Sequence, residues 1–166
     1  MKEEQLKVLK FMTQATNRMD LNMFAKSINL EPDQVMQNVQ ELAKEGFVCK
    51  VSSGYGVTEK GKNALKAFTP LEENMSFHFY TRIGYPTVFS AQSLADFYRL
   101  SRQIEAESLE FHLYRGDFET WLKDAYQNQE LAEKLNKLKE ADIKGEELRK
   151  EILNAIDQKY NLKDLI

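Results

Sequence analysis

Apolar residues in the first part of the chain recur at the spacing of helix faces, in three successive segments. The pattern predicts helices over 2–15, 21–28 and 32–45, with polar and charged residues on their outer faces. The three apolar stripes consist of Leu6, Leu9 and Met12; Leu21, Phe24 and Ile28; and Val35, Val39 and Leu42. Val8 and Phe11 lie off the first stripe, so we expect them to cover a second contact, with the other domain or with another copy of the chain.

Residues that favour helix ends flank the second and third helices. Asp20 is a good N-cap, and Asn29 can end the second helix in a left-handed conformation. Pro32 suits the first position of the third helix, where its missing N–H costs nothing. Gly46 is the expected stop of that helix.

After Gly46 the residues alternate between two faces instead of following the helical spacing. This alternation predicts a strand over 47–51, with Cys49 on its inner face. A turn over 52–54 and a return strand over 55–58 complete a hairpin. Thr58 is the expected N-cap of a fourth helix, which runs from Glu59 to about Phe68.

The rest of the chain reads as a separate, mostly helical domain. Residues 69–76 are polar and aperiodic around Pro70, which predicts a linker between domains 1–68 and 77–166. We expect a short strand over 77–81, then a loop from Arg82 to Ser90. Predicted helices follow over about 93–104, capped by Ser93; 108–114; from Asp117, taken as an N-cap, to Tyr126; 129–139; and 146–159.

The order helix, helix, helix, strand, turn, strand, helix in residues 1–68 resembles the winged helix-turn-helix domain of prokaryotic transcription regulators. The segments that carry the resemblance are Phe24–Leu30 with Glu31–Val35, Leu42–Val48 and Val57–Gly61. The resemblance implies a mainly α (α+β) fold with a two-stranded wing. It also implies that the predicted helix over 32–45 enters the major groove of double-stranded DNA.

Side chains of suitable chemistry occur on this helix and around the wing. Amides pair with adenine and a carboxylate accepts from cytosine, so the candidate base-reading residues are Gln34, Gln37, Asn38 and Glu41. Ammonium groups and hydroxyls hold phosphates, so the candidate backbone contacts are Lys26, Lys44, Lys50, Ser52, Ser53 and Tyr55. We expect the exposed face of the helix to contain all four base-reading residues.

The distribution of charge along the chain affects the expectation that this helix binds DNA. The chain has a net charge of −3, which divides into +2 for residues 1–68 and −5 for residues 69–166. The presumed recognition helix nevertheless has Asp33 and Glu41 against a single cation, Lys44. A small domain of +2 binds phosphate weakly unless it dimerises, so we expect a homodimer. The alternative is a solvated polar helix face.

The second domain resembles a small prokaryotic family of unknown function over about 75–160, a resemblance that implies no activity. The segments that carry it are Phe77–Phe79, Ser93–Leu94, Ser108–His112, Asp117–Leu122 and Leu131–Ala132. His78 and His112 invite a metal or acid–base hypothesis, with Glu110 and Asp117 near in sequence. The favoured interpretation is a hydrogen-bonded, partly buried histidine packed on aromatic rings.

No nucleophile elbow, phosphate loop or metal-ligand spacing occurs in the sequence, so we expect no enzyme, no cofactor and no metal. Cys49 is the only cysteine, which excludes an internal disulfide. Neither a membrane span nor an apolar leader is apparent, so a cytoplasmic location is expected.

The preferred hypothesis is a two-domain transcription regulator whose second domain serves dimerisation, effector sensing or contact with a protein partner. The alternative is a protein-interaction adaptor whose winged helix never meets DNA. A basic stripe across Lys26, Lys44, Lys50 and Lys60 would favour DNA, and an apolar patch there would favour the adaptor.

Overall fold

A computed structural model describes residues 1–15 and 20–166 and shows an α+β protein. The chain divides into two compact units, Met1–Ala67 and Phe68–Ile166, and each is described by itself. No helix in the described parts of the chain is long and apolar enough to cross a bilayer.

The N-terminal unit contains three helices, a hairpin and a fourth helix. The helices are α1 (Glu3–Gln14), α2 (Leu21–Ser27), α3 (Pro32–Lys44) and α4 (Glu59–Phe68), and the strands are β1 (Val48–Val51) and β2 (Gly54–Val57). The strands pair antiparallel, with Val48 opposite Val57 and Val51 opposite Gly54.

The helix ends of this unit agree with the capping residues in the sequence. The Asp20 carboxylate accepts hydrogen bonds from the N–H groups of Asn22 and Met23, at 2.9 and 3.0 Å. Asn29 and Gly46 adopt left-handed conformations, with φ of 56° and 80°. Both residues turn the chain out of the preceding helix. Most residues with a Cβ adopt this left-handed conformation only at a cost in free energy.

The start of α4 depends on a cap and on close packing. The Thr58 hydroxyl accepts from the Gly61 N–H at 3.1 Å. Gly61 is required by space as well, because a Cβ there would collide with the Phe47 carbonyl. The predicted cap at Thr58 is therefore confirmed, and a glycine in the first turn of α4 lets this helix approach β1.

The core of the unit lies where α1 and α2 pack against α3. Val8 and Leu9 are fully buried, whereas Leu6 and Met12 remain partly exposed. The expectation that Val8 lies outside the core is therefore wrong. The buried stripe of α1 is rotated from the predicted one because Gln5, a polar residue, shares it and hides its periodicity.

The predicted inner position of Cys49 is also wrong, since its side chain is exposed. Only Val48 of β1 is buried, and Val51 is 42% exposed. Alternation predicts two faces for a strand, but in this two-stranded ribbon neither face is covered beyond the first residue pair.

The C-terminal unit begins with a hairpin, continues with five helices and includes two short 3₁₀ turns, Glu73–Met75 and Leu162–Asp164. The strands are β3 (Phe77–Arg82) and β4 (Tyr85–Ala91), and the helices are α5 (Leu94–Ser101), α6 (Ala106–Arg115), α7 (Asp117–Tyr126), α8 (Gln129–Lys137) and α9 (Gly145–Tyr160). The Leu71 N–H donates to the Gln92 carbonyl at 2.7 Å, so part of the presumed linker is fixed to this unit.

The segment 82–90, expected to be a loop, instead forms most of β4. Ile83 and Gly84 make a two-residue turn between Arg82 and Tyr85, with Gly84 at φ 78°. Pro86 argued against a strand, because proline cannot donate to a ladder. In a two-stranded sheet each strand has an unpaired edge, so the missing donor costs little.

Aromatic rings form the centre of this unit. Phe77 contacts Phe79, Phe97, Phe118 and Trp121, with ring centroids 5.0–5.4 Å apart. All five rings are at most 8% exposed. Helices α6, α8 and α9 add an aliphatic layer of buried side chains, which are Leu109, Leu113, Leu131, Leu135, Leu148, Ile152 and Ile156.

Candidate functional site

The outward face of α3 is the first candidate surface. Helices α1 and α2 both pack against α3, and its buried residues are Val35, Asn38, Val39 and Leu42. Because successive helical residues are 100° apart, the opposite face consists of Asp33, Met36, Gln37, Gln40 and Lys44, all of them exposed. This face has one negative and one positive charge.

Asn38 corrects the predicted base-reading set, because it is only 5% exposed. Its amide nitrogen donates to the Gln34 carbonyl at 2.8 Å and to the Glu4 carboxylate at 3.3 Å. The residue lies on the side of α3 that faces α1, so the amide is used inside the unit. It is unable to reach a base edge in this arrangement.

Glu41 is likewise used within the unit. Its carboxylate accepts from the Lys2 ammonium at 2.9 Å and from the Gln5 amide at 3.1 Å, both on the α1 side. The Lys2 ammonium holds the pKa of the Glu41 carboxyl below its usual range, and the carboxylate raises the pKa of Lys2. The negative charge of Glu41, which argued against phosphate binding, is therefore partly neutralised by Lys2. It lies on the α1 side of α3, away from the outward face of that helix.

The remaining two predicted base-reading residues differ from each other. The Gln34 side chain accepts from the Glu31 N–H at 2.9 Å and so helps to cap α3. Gln37 makes one longer bond to Glu41, at 3.3 Å, and stays exposed. Gln40 was absent from the predicted base-reading set, although it is exposed and makes no side-chain hydrogen bond to any described residue. Its position opposite Leu42 on the helical wheel could have identified it.

The predicted phosphate contacts are all exposed. Lys26, Lys44 and Lys50 have no carboxylate within ion-pair distance in the described part of the chain. Ser52, Ser53 and Tyr55 lie in or beside the β1–β2 turn, and Tyr55 is 40% exposed. These six side chains therefore keep their polar groups available to a ligand.

Lys60 differs from the other three lysines of the expected basic stripe. Its ammonium donates to the Glu45 carbonyl at 2.9 Å and lies 4.6 Å from the centre of the Phe47 ring. It therefore satisfies a carbonyl at the C-terminal end of α3.

His112 is the centre of the second candidate site, in the C-terminal unit. Its Nε2 accepts from the Tyr80 N–H at 2.7 Å, which requires that Nδ1 has the proton and donates to Asp117, also at 2.7 Å. One turn earlier on α6, the Ser108 hydroxyl donates to the Tyr80 carbonyl at 2.8 Å. Two side chains of α6 thus satisfy the backbone of β3 as a neighbouring strand would.

Burial keeps this histidine neutral. His112 is 3% exposed, and desolvation lowers its pKa below the ordinary value, although the Asp117 carboxylate acts in the opposite direction. The ring packs edge-on against Phe77 at 4.8 Å and Phe111 at 5.0 Å. The predicted packed and hydrogen-bonded histidine is confirmed for His112, whereas His78 is exposed.

Asp117 corrects a predicted cap. Gly116, with φ of 82°, precedes α7, and Asp117 is the first residue of that helix. Its carboxylate accepts from His112 and, at 3.3 Å, from Arg115. The imidazole of the preceding helix, five residues earlier in the sequence, takes the place of the backbone N–H that capping would use.

A shallow cleft of about 380 Å³ adjoins this site. Its lining residues are Phe77, His78, Tyr80, Ile83, Gly84, Phe111, His112, Arg115 and Asp117. Both nitrogens of His112 are already bonded, so this buried histidine is not poised as a general base. Within the described residues no three His, Cys, Asp or Glu side chains are grouped to hold a metal ion.

The sequence model of DUF5752, a family of unknown function, matches residues 57–157. The chain therefore belongs to the DUF5752 family. The match confirms that the second half is a domain of unknown function, but it begins before the predicted limit of about 75 and includes α4. No curated protein and no solved structure shows significant similarity to the chain.

Proposed function

We propose that the N-terminal unit is a winged helix-turn-helix that binds double-stranded DNA, and that the protein is a transcription regulator. The single observation that supports this most is the arrangement around α3. Two helices cover one side, Asn38 and Glu41 are used against α1, and Gln37, Gln40 and Lys44 remain outward. An exposed helix with outward amides is the element that a helix-turn-helix inserts into the major groove.

The chemistry of this face fits base reading better than the sequence alone indicated. Gln37 and Gln40 are one turn apart and could each pair with adenine through the amide. Met36, which is 38% exposed, could contact a thymine methyl group. Lys44 at the end of the helix would hold a phosphate. The proposed base-reading set is therefore Met36, Gln37 and Gln40, without Asn38.

The β1–β2 hairpin would provide the wing in this proposal. Lys50, Ser52 and Ser53 are exposed around its turn, and Lys26 adds a cation at the end of α2. Non-specific affinity depends on the number of phosphates that cations neutralise, and few cations are available here. We therefore propose that two copies bind together, so that the phosphate contacts double.

Fluorescence anisotropy with labelled duplexes from the promoter of the protein's own gene tests this proposal. The intact chain should bind at low salt, and affinity should fall steeply as salt rises. Lys44→Ala should reduce the slope of log affinity against log salt by about 0.9 per lost phosphate contact. Lys150→Ala removes an exposed lysine of α9 and is the matched control, expected to leave the slope unchanged.

Two outcomes would overturn DNA binding by α3. One is the absence of binding at low salt with duplexes of any sequence. The other is an equal effect of Lys44→Ala and Lys150→Ala, because a general charge effect would then explain the change. A loss of affinity for Gln40→Ala that depends on the duplex sequence would support base reading.

A protein-interaction adaptor is the second candidate, and exposed apolar residues favour it. Met23 is 57% exposed on α2, and Val51 is 42% exposed at the hairpin. These side chains would be the anchors for a protein partner. A partner that binds the N-terminal unit and is lost on Met23→Asp, in a chain with no affinity for duplexes, would favour this function.

We propose no catalytic role for the cleft beside His112. Hydrogen bonds occupy both ring nitrogens, and Asp117 already interacts with His112 and Arg115. The arrangement instead supports a structural role, in which His112 joins β3, α6 and α7. The C-terminal domain would then act through its surface, in dimerisation, sensing or partner contact.

A further inference from the structure

The β3–β4 hairpin exposes an apolar surface, here called the hairpin patch. It consists of Ile83, Tyr85, Val88 and Phe89, which are 76%, 55%, 93% and 37% exposed. No residue from Ile83 to Ala95 is charged, the longest such run in a chain with 30% charged residues. A large exposed apolar patch without charges is unusual for a surface that meets only water.

The two edges of this hairpin differ. The outer edge of β3 is closed by α6, since Ser108 and His112 bond to the carbonyl and N–H of Tyr80. The sheet contains only β3 and β4 among the described residues, so no strand pairs with the other edge of β4. The free backbone edge of the hairpin is therefore on β4, the strand to which Tyr85, Val88 and Phe89 belong.

A bulge pushes part of β4 outward. Tyr80 lies opposite Pro86 and His78 lies opposite Ser90, so Thr87, Val88 and Phe89 together oppose Phe79 alone. The Phe89 N–H is satisfied locally by the Thr87 hydroxyl at 3.1 Å. The bulge makes Val88 the most exposed large apolar side chain of the described chain. Such a feature fits side-chain contact with a partner better than the addition of a strand.

We propose that the hairpin patch is the interface of a homodimer, in which it meets the same patch of a second copy across a two-fold axis. A two-fold interface brings identical residues near one another, and uncharged side chains such as Val88 and Phe89 avoid the repulsion that charged self-contact would create. The Arg82 guanidinium lies 3.8 Å from the centre of the Tyr85 ring and so borders the patch at the turn. The inference rests on the proposed function in so far as DNA binding calls for two copies.

The area of the hairpin patch is sufficient for this occupant. Large apolar residues present roughly 150–250 Å² each when fully exposed, so the four residues at their exposed fractions together offer about 500 Å² per copy. Two copies together bury about 1,000 Å², the lower bound of a specific interface. A dimer of moderate affinity, dependent on concentration, is the expected result.

Analytical ultracentrifugation of the intact chain, without DNA, tests the proposal. The wild type should shift from monomer to dimer as concentration rises. Val88→Asp and Val88→Lys should each raise the dissociation constant at least about 100-fold, because like charges meet across the axis. An equal mixture of the two variants should restore the dimer. Met23→Asp, at an exposed apolar residue of the N-terminal unit, is the matched control and should dimerise like the wild type.

Three results would overturn the proposal: a wild type that stays monomeric at high concentration, a Val88→Asp variant that dimerises normally, or a mixture of the charge variants that stays monomeric. A dimer lost on Met23→Asp would place the interface on the N-terminal unit and would also overturn it. Circular dichroism should confirm that Val88→Asp folds, as expected for a side chain 93% exposed. A monomeric wild type that binds duplexes would refute this interface alone.

Discussion

The two units of this protein use polar side chains in opposite ways. In the N-terminal unit, Gln5 and Asn38 are buried between α1 and α3, and Gln37, Gln40 and Lys44 of α3 face outward. In the C-terminal unit, His112 and Asn128 are buried among rings and helices, while apolar side chains of the hairpin face outward. The outward face of α3 is thus polar, and the exposed surface of the β3–β4 hairpin is apolar.

This difference separates two kinds of recognition. A polar helix face with lysines nearby suits a nucleic acid, and an uncharged apolar patch suits a protein surface. The contacts inside the two units differ as well. Polar ties join α1 to α3, and aromatic packing joins β3 to the helices of the second unit.

The largest expected effect is in the aromatic core. Phe97 is 1% exposed and contacts the rings of Phe77, Phe79, Phe118 and Trp121. Phe97→Ala should lower the free energy of unfolding by about 4 kcal/mol, because a large cavity replaces the ring. Urea denaturation followed by fluorescence of Trp121, the only tryptophan, measures this directly.

Tyr114→Ala is the control for that variant, since Tyr114 is 41% exposed in the same unit. It should change the free energy of unfolding by no more than about 0.5 kcal/mol. Equal losses for the two variants would mean that the rings are not the core of this unit.

The next effect concerns the buried histidine. His112→Ala should cost about 3 kcal/mol at neutral pH, because the Tyr80 N–H loses its acceptor and Asp117 loses its donor. His78→Gln, which removes the exposed imidazole of the chain, is the control and should not change stability at pH 7.5.

The wild type should also lose stability in mild acid. The folded pKa of His112 is lowered, so below the unfolded value of about 6.5 the unfolded chain binds more protons than the native state. Stability is therefore full above that pH, declines as pH falls below it, and stops declining below the folded pKa. In His112→Ala this part of the pH dependence should vanish. An unchanged slope in urea titrations at several pH values would contradict a neutral, buried His112.

A smaller effect distinguishes two amides of α3. Asn38→Ala should cost about 1–2 kcal/mol, since it removes a buried hydrogen-bonded amide. Gln40→Ala should leave stability unchanged and should weaken binding to duplexes. Thermal denaturation and anisotropy of both variants give the comparison, and the reverse pattern would exclude the assigned face of α3.

The smallest expected effect is at the ion pair between α1 and α3. Glu41→Gln should lower stability only slightly, because both Glu41 and Lys2 are solvent-accessible and such pairs contribute little. The pKa of Glu41 is lowered in the native state, so its contribution is present above the unfolded value and is lost as pH falls through the folded value. High salt should abolish the difference from the wild type, and a large difference that persists in salt would contradict a surface pair.

Local rules in the sequence predicted the helix ends well. Asp20, Asn29, Pro32 and Thr58 act where capping and turn chemistry place them, because each depends on neighbours within a few residues. The long apolar stripes of α3 and α9 were also predictable. Their periodicity reports directly which side faces the core.

Contacts between distant elements could not be predicted in this way. Asn38 is polar, and only the carboxylate of Glu4 on another helix shows why it is buried. Asp117 looks like a cap until His112 is placed beside it. Pro86 led to the prediction of a loop in place of β4, because the sequence does not show that this strand lies at the edge of a sheet. Asn38 was therefore predicted among the base-reading residues, because the contact that buries it lies outside α3.

A nuclear magnetic resonance titration of the intact chain with a duplex that it binds tests DNA binding by α3 most directly. The backbone amides of Gln37, Gln40 and Lys44 and of the β1–β2 turn should shift, with His112 and its neighbours unchanged. Shifts confined to the C-terminal unit, or spread evenly over exposed lysines such as Lys150, would contradict DNA binding by the outward face of α3.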